Sequence, residues 1–267
     1  MTEGRSYRFT DFLCRRPSRS VARGIRDESG PDPDPALFES QHDAYVQALM
    51  DVGGNVTVLP AQEEFPDSVF IEDPAIVTSG TAIVLRPGAA SRLGEAAALR
   101  PSLAEIFAEV VDLPGAGFVD GGDVMLTDDE ALIGQSARTD QEGFDALARV
   151  LVDFGYRARR VDTPPSILHF KTDCGLLDSE TIFASRTLNA TGCFDGYRVI
   201  EAPEGEEAAA NLIRVNDHVL LSAGHPRTED LLTSNGYDLK VLDTSEAAKV
   251  DGGLSCLSLR FALGTTR

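Results

Sequence analysis

Basic residues are scarce in this sequence, which has 24 lysines and arginines against 43 acidic residues and a formal net charge of −19. Nucleic acid is bound through basic patches that meet its phosphates, so a nucleic-acid partner is not expected. The acidity is explained by a solvated surface that aids solubility, and it is also compatible with a cationic small-molecule ligand.

Long apolar segments are absent as well. The opening stretch MTEGRSYRFTDFLCRRPSRS contains no apolar core of the kind found in secretory signal peptides. No apolar run approaches the length that crosses a bilayer. We therefore expect no membrane association and a cytoplasmic location.

Cysteines are few and far apart, at positions 14, 174, 193 and 256. There is no CxxC pair, so a structural zinc site is not expected, and a cytoplasmic chain keeps its thiols reduced. No GxGxxG or P-loop pattern follows a predicted strand, so nucleotide binding has no support. Cys256 lies near the beginning of a predicted strand in KVDGGLSCLSLRF, where core filler, disulfide partner, metal ligand and nucleophile are all open roles.

A β-rich motif repeats along the chain at a period of 40–55 residues. Five strand-like segments end at a proline or a turn former: Asn55–Pro60, Glu109–Pro114, Ala158–Pro165, Tyr197–Pro203 and Leu239–Thr244. Paired apolar runs follow the first four and predict hairpins. The last unit has only one clear strand, and we expect SYRFTDFLCRRP near the N-terminus to supply its partner. The pattern predicts one ring of five β-rich blades with helices outside.

Helical segments separate these units. Helices are predicted in PALFESQHDAYVQALMDVGG, SRLGEAAALRPSLAEIFAEV, DQEGFDALARVLVDFGY and PRTEDLLTSNGY. Pro101 is expected to break or restart the second of them. Residues 15–34, rich in Arg, Ser, Gly and Pro, fit either a surface loop or a lid over a pocket.

Chemically active side chains recur at one place in the repeat, the beginning of the second apolar run. They are Glu72, Asp73, Asp120, His169, Asn211 and Cys256. Taken singly, each has a bland structural explanation, such as a buried thiol in a strand. Equivalent positions in a closed ring face one axis, however, so we expect them to converge in a central channel. A converging thiol, imidazole and carboxylate predict nucleophilic catalysis.

At these residues the chain resembles the dimethylarginine dimethylaminohydrolases of the guanidine-modifying superfamily, bacterial type. The segments that carry the resemblance are RRPSRSV, QHDAYVQAL, FPDSVFIEDPAIV, RPGAASR, IGQSART, LHFKT, AAN, AGHPRT and KVDGGLSCLSLRF. They run in order through nearly the whole chain. The resemblance implies a five-bladed α/β propeller with pseudo-fivefold symmetry, formed as a single domain over 1–267 with a lid at roughly 15–34.

The resemblance also implies a role for each matching residue. Cys256 matches the nucleophile, His169 the general acid and base, and Asp120 the carboxylate that pairs with the histidine, which is Glu in some bacterial relatives. The matching substrate-binding positions are Val21 in the lid, Asp67, Glu72, Asp73, Arg92, Arg138, Val250 and Asp251, with both arginines expected at the substrate's α-carboxylate.

The implied reaction converts Nω-methylated arginine to citrulline and methylamine or dimethylamine through a thiouronium on Cys256. It needs no metal or organic cofactor, although a reactive thiolate is open to inhibition by zinc. Hydrolysis of unmethylated arginine, an amidinotransferase and a non-catalytic propeller stay open as alternatives. Members of the family occur as monomers and homodimers.

Overall fold

The computed structural model describes residues 4–26, 30–78 and 80–263, so part of the predicted lid, 27–29, lies outside the described residues. Within these ranges there are six α-helices: α1 Pro35–Asp51, α2 Leu93–Ile106, α3 Gln141–Asp153, α4 Arg186–Asn189, α5 Pro226–Ser234 and α6 Ser245–Ala248. The same ranges contain fifteen strands: β1 Asp11–Arg15, β2 Asn55–Leu59, β3 Ala75–Thr78, β4 Thr81–Val84, β5 Glu109–Asp112, β6 Val124–Leu126, β7 Glu130–Gln135, β8 Arg157–Asp162, β9 Cys174–Leu176, β10 Thr181–Ala184, β11 Arg198–Glu201, β12 Ile213–Val215, β13 His218–Ser222, β14 Asp238–Leu242 and β15 Leu259–Phe261.

The strands form five three-stranded sheets with one shared pattern. In each sheet the middle strand pairs antiparallel with an inner strand and parallel with a third strand that follows a helix. The fifth sheet is closed by β1 from the start of the chain, which pairs antiparallel with β15 from its end, Asp11 opposite Phe261. The predicted ring and its closure by the N-terminal strand are confirmed.

Burial explains why each blade needs its neighbours. The middle strands β4 and β10 are buried at every residue, whereas the third strands keep exposed positions. Apolar clusters then join adjacent blades: Leu13 of β1 and Leu259 of β15 pack with Ala82 of β4 and Leu103 of α2. Each fully buried leucine contributes about 1.5–3 kcal/mol, so the ring is stabilised at its blade-to-blade seams.

The long helices lie where the sequence predicts them, with one error. Asp34 caps α1 by accepting hydrogen bonds from the backbone N–H groups of Ala36 and Leu37. Pro101, however, lies inside a continuous α2 instead of breaking it. Its position is exposed, so water can serve the carbonyl that loses its partner, while buried Leu99 and Leu103 anchor the helix on either side.

Four of the residues predicted to converge lie just before the inner strands, next to or within short 3-10 turns. Asp120 and His169 precede the turns Gly121–Asp123 and Phe170–Thr172, and Asn211 follows the turn Glu207–Ala210. Cys256 lies within the turn Leu254–Leu257, ahead of β15, so its expected place near the beginning of a strand is wrong by one turn. Because these turns occupy the same end of their inner strands, they converge.

Among the described residues, no helix has the length and apolar character needed to cross a membrane.

Candidate active site

A buried imidazole–carboxylate pair forms the centre of the site. His169 Nε2 lies 2.9 Å from Asp120 Oδ2, and Asp120 is fully buried. The second oxygen of Asp120 accepts the backbone N–H of Gly88 at 2.7 Å. The backbone N–H of His169 donates to Thr172 Oγ1 at 3.3 Å. The two side chains are therefore held in one arrangement by different segments of the chain.

Asp73 is the second carboxylate beside the imidazole. One of its oxygens accepts the N–H of Gly122 at 3.1 Å, and the other is paired with the guanidinium of Arg92. A Cβ on Gly122 would lie 2.9 Å from both the Asp73 carboxylate and the His169 ring, so glycine is required for this approach. Burial lowers the pKa of His169, because it disfavours the imidazolium. The negative charges of Asp73, Asp120 and Asp123 outweigh this effect and raise the pKa of His169 to about 9.

The thiol of Cys256 is buried, with Ser255 Oγ 3.8 Å from its sulfur. Burial, then the negative charges of Asp73 and Glu72, raise its pKa to about 11. Asp73 thus acts electrostatically on both the thiol and His169. At neutral pH and without substrate, the Cys256 thiol is protonated and His169 is an imidazolium, and the thiolate needs added positive charge.

The turn that carries Cys256 is fixed from two sides. The N–H of Ser255 donates to Asn211 Oδ1 at 3.0 Å, and the carbonyl of Cys256 accepts the N–H of Glu72 at 3.3 Å. A Cβ on Gly253 would lie 2.4 Å from the Asn211 side chain, and one on Gly252 2.2 Å from the Phe70 ring. The glycines thus permit close packing of protein around the turn, and Asn211 positions the turn.

Glu72 is committed to two cations. Its Oε1 accepts a hydrogen bond from Arg260 and forms an ion pair with Lys171, while its buried Oε2 has no hydrogen-bond partner among the described residues. Sequence reasoning missed Lys171 and Arg260, although they follow His169 and Cys256 by two and four positions. Glu72, Lys171 and Arg260 also line a cavity of about 530 Å³ enclosed by the five inner strands.

The two predicted arginine clamps differ sharply. Arg92 is 4% exposed, and its guanidinium donates to Asp73, to both oxygens of Glu95 and to the carbonyls of Asp67 and Phe70. In this structure Arg92 therefore holds two buried carboxylates, and its role at the substrate's α-carboxylate stays a prediction.

Arg138 is only partly buried, and its guanidinium makes no ion pair or hydrogen bond with the described residues. Burial raises the pKa of Asp67, and the charges of Arg92 and Arg138 oppose that rise. The Arg138 guanidinium therefore lies close enough to act electrostatically on Asp67. This guanidinium is free to bind an anionic group.

The start of the predicted lid is docked on the site. Val21, in the short 3-10 helix Arg19–Arg23, is fully buried in a cluster with Phe70, Val250 and Cys256. Asp67 accepts the N–H of Ile25 at 2.9 Å. Val250 is likewise buried, and exposed Asp251 follows it at a positive φ of 55°.

The ligand atoms of Asp73, Asp120 and His169 all lie within 4.8 Å of one another, a spacing that a metal ion could use. In this structure each of them has another partner: Arg92 and Gly122 for Asp73, Gly88 for Asp120, and Asp120 for His169. An active site without a metal or cofactor stays a prediction.

Known proteins share both this sequence pattern and this fold. Residues 36–170 match the family model described as N,N dimethylarginine dimethylhydrolase, eukaryotic. The N(G),N(G)-dimethylarginine dimethylaminohydrolase of Pseudomonas aeruginosa is 39% identical over 254 residues, 95% of this chain and 100% of that protein.

Two solved structures are similar over nearly the whole chain. A cysteine-to-serine variant of the Pseudomonas aeruginosa enzyme complexed with citrulline has a TM-score of 0.92 at 38% identity, covering 96% of this chain and 100% of that one. A histidine-to-glycine variant of a dimethylarginine dimethylaminohydrolase, in an adduct with S-methyl-L-thiocitrulline, has a TM-score of 0.91 at 38% identity, covering 95% and 100%.

Proposed function

The chain belongs to the dimethylarginine dimethylaminohydrolase family, and we propose that it hydrolyses Nω-methylated L-arginines to L-citrulline and dimethylamine or methylamine. The observation that carries the proposal is the convergence of a buried thiol, Cys256, with the His169–Asp120 pair around the carboxylate of Asp73.

The charges of the site suit a guanidinium. The Asp73 carboxylate lies beside the imidazole and acts on the thiol, so a planar cation bound there would donate charge-assisted hydrogen bonds to it. Asp67, at the lid, adds a further acceptor. At the amino-acid end, the unpaired guanidinium of Arg138 would clamp the α-carboxylate in a bidentate manner. Glu72 and Arg92 support the site from below through their own ion pairs.

The first half of the reaction forms the covalent intermediate. The bound guanidinium offsets the negative charge beside Cys256, and the thiol releases its proton to solvent water to become the nucleophile. The thiolate attacks the central guanidinium carbon. His169, charged at neutral pH, donates its proton to the methylated nitrogen, and the C–N bond breaks to release the amine. A thiouronium on Cys256 and a neutral imidazole remain.

The second half uses the neutral imidazole as a base. His169 takes a proton from a water molecule as its oxygen attacks the thiouronium carbon. The tetrahedral adduct collapses by breaking its bond to sulfur and gives up its hydroxyl proton to solvent water, which leaves the urea group of citrulline and returns the thiolate. Asp120 holds the ring in place through both steps. Val21 and Val250, buried against Cys256, limit the access of other nucleophiles.

Citrulline formation tests the proposal. The purified protein is incubated separately with asymmetric dimethylarginine, monomethylarginine and arginine, and citrulline and amine are measured. We expect turnover of the methylated substrates and its loss in Cys256→Ser, with the fold retained by circular dichroism. Absence of citrulline from all three would refute a hydrolase, turnover of arginine alone would make it a deiminase, and full activity of Cys256→Ser would refute the nucleophile.

The proposal also includes a cytoplasmic, single-domain enzyme that acts as a monomer or homodimer. Cell fractionation tests the location, and light scattering during gel filtration tests the oligomeric state. Within one chain His169 pairs with Asp120, and the charge of Asp73 acts on both His169 and Cys256, which supports a site formed by a single chain.

A further inference from the structure

Arg260 occupies an unusual position beneath the catalytic turn. One of its terminal nitrogens, Nη1, donates to the carbonyl of Ser255 at 2.8 Å and to that of Ser258 at 2.9 Å. These carbonyls bracket Cys256 in the chain. The other terminal nitrogen, Nη2, donates to Glu72 Oε1. A single guanidinium therefore binds the backbone on both sides of the nucleophile and the carboxylate that faces it.

The same carboxylate links the nucleophile to the acid–base residue. Lys171, two positions after His169, shares Glu72 Oε1 with Arg260. The side chains are 14% exposed for Arg260, 11% for Lys171 and 4% for Glu72, so solvent screens these charges weakly. A chain of contacts thus runs from the Cys256 turn through Arg260 and Glu72 to the segment of His169.

Charge arithmetic gives Arg260 a second effect. The buried thiol already faces the carboxylates of Asp73 and Glu72, and both disfavour its thiolate, while the imidazolium of His169 is offset by Asp73, Asp120 and Asp123. Arg92 is paired with Asp73, and Arg260 and Lys171 are paired with Glu72, so these cations offset part of the negative charge. Removing Arg260 would leave Glu72 with one cation and expose Cys256 to more negative charge.

We propose that Arg260 is a positioning residue for the nucleophile, holding the Cys256 turn through two carbonyls and shielding the thiolate from Glu72. The role rests on the proposed function for its catalytic meaning. The effects of Arg260 on the position and the charge state of the thiol are measurable without substrate, because both change the reactivity of Cys256 itself.

The neighbouring blade supplies a matched control. Arg214 stands in the middle of β12 as Arg260 stands in the middle of β15, and both line the same cavity. The Arg214 guanidinium instead donates to the carbonyl of Asn216 and lies over the rings of Tyr7 and Tyr237. Arg214→Gln therefore removes the same charge from the same strand position without touching the catalytic turn.

The test is the rate at which iodoacetamide alkylates Cys256 at pH 8, read on its own peptide by mass spectrometry in a Cys193→Ser background, because Cys193 is the partly exposed thiol. We expect Arg260→Gln to slow alkylation about tenfold, the effect of roughly one unit in the thiol's pKa, and Arg214→Gln to leave it within twofold. Adding Glu72→Gln to Arg260→Gln should restore the rate, because the carboxylate whose charge Arg260 offset is then absent.

Turnover separates the two parts of the role. Arg260→Lys should recover the alkylation rate, because the charge returns, but recover kcat only in part, because one ammonium cannot bind both carbonyls and Glu72 as the forked guanidinium does. KM should change little in either variant. Folded Arg260→Gln protein that alkylates like wild type, or a loss that Glu72→Gln does not reverse, would overturn the proposal. If wild type alkylates but makes no citrulline, the proposed function fails and the Arg260 result still stands.

Discussion

Asp120 binds the ring of His169 with one carboxylate oxygen and the backbone N–H of Gly88 with the other. Asp120 and His169 each come just before an inner strand, and the two strands belong to different blades. The carboxylate thus orients the imidazole and, with Asp73 and Asp123, favours its protonated form. That form is the one needed to release an amine from the first adduct.

Replacing Asp120 with Asn should lower kcat about 100-fold or more while KM changes little. The amide keeps the shape but no longer favours the imidazolium, and general acid–base catalysis is worth about 10²–10⁴-fold. Steady-state citrulline assays measure the effect. Asp120→Glu is the control, since it restores the charge and should recover much of the rate. Equal rates for wild type and the Asn variant would show that this carboxylate has no catalytic importance.

The state of the Cys256 thiol should depend on whether the site holds a cation. In the empty enzyme its raised pKa of about 11 keeps the thiol protonated up to alkaline pH, so thiolate appears only as the pH approaches that value. A non-reactive guanidinium ligand should move this appearance to lower pH, because it offsets Asp73 and Glu72. The ultraviolet absorbance of thiolate, taken as the difference from Cys256→Ser, follows it. An unchanged midpoint with ligand bound would contradict substrate-assisted ionisation.

The ring was predictable because its signal is local and repeated. Alternation and turn residues mark each hairpin, and the unmatched final strand required a partner from the other end of the chain, which β1 provides. The turn at Cys256 was not predictable in the same way. It is fixed by the side chain of Asn211, 44 positions earlier, and no local pattern encodes that contact.

The contacts of Arg92 were not predictable for a related reason. The sequence shows a cation at Arg92 but not the four buried acceptor groups that surround it. One local hint was present, since Glu95 lies three positions on along the same helical face. Arg260 gave no such hint, because its partner Glu72 is 188 positions away.

Arg138 and Arg92 should respond differently to truncation. Arg138→Ala should raise KM about 10–100-fold and leave the fold intact, since a charged hydrogen bond to the substrate carboxylate is worth about 1.5–3 kcal/mol. Arg92→Ala should instead destabilise the protein by about 3–5 kcal/mol, because Asp73 and Glu95 would be left as unpaired buried charges. Steady-state kinetics and urea unfolding distinguish the two. A large KM effect without destabilisation in Arg92→Ala would restore Arg92 as a clamp.

The docking of the lid should depend on the space beside Gly24. Its backbone has φ −60° and ψ 163°, which any residue adopts, so a substitution there is opposed only by contacts. A Cβ at Gly24 would lie 2.7 Å from Asp67 Oδ1, the atom that accepts the N–H of Ile25, and would force that carboxylate aside.

Gly24→Ala should therefore loosen the segment that buries Val21, raise KM several-fold and speed tryptic cleavage after Arg23 or Arg26. Gly30→Ala is the matched control, because a Cβ there meets nothing within 4 Å. Asp67→Ala combined with Gly24→Ala separates the clash from the lost hydrogen bond: the clash disappears, but the lid stays loose because Ile25 has lost its acceptor. If both alanine variants of the loop are cleaved at the wild-type rate, Asp67 does not hold the lid, and the burial of Val21 against Phe70 and Val250 must account for its docking.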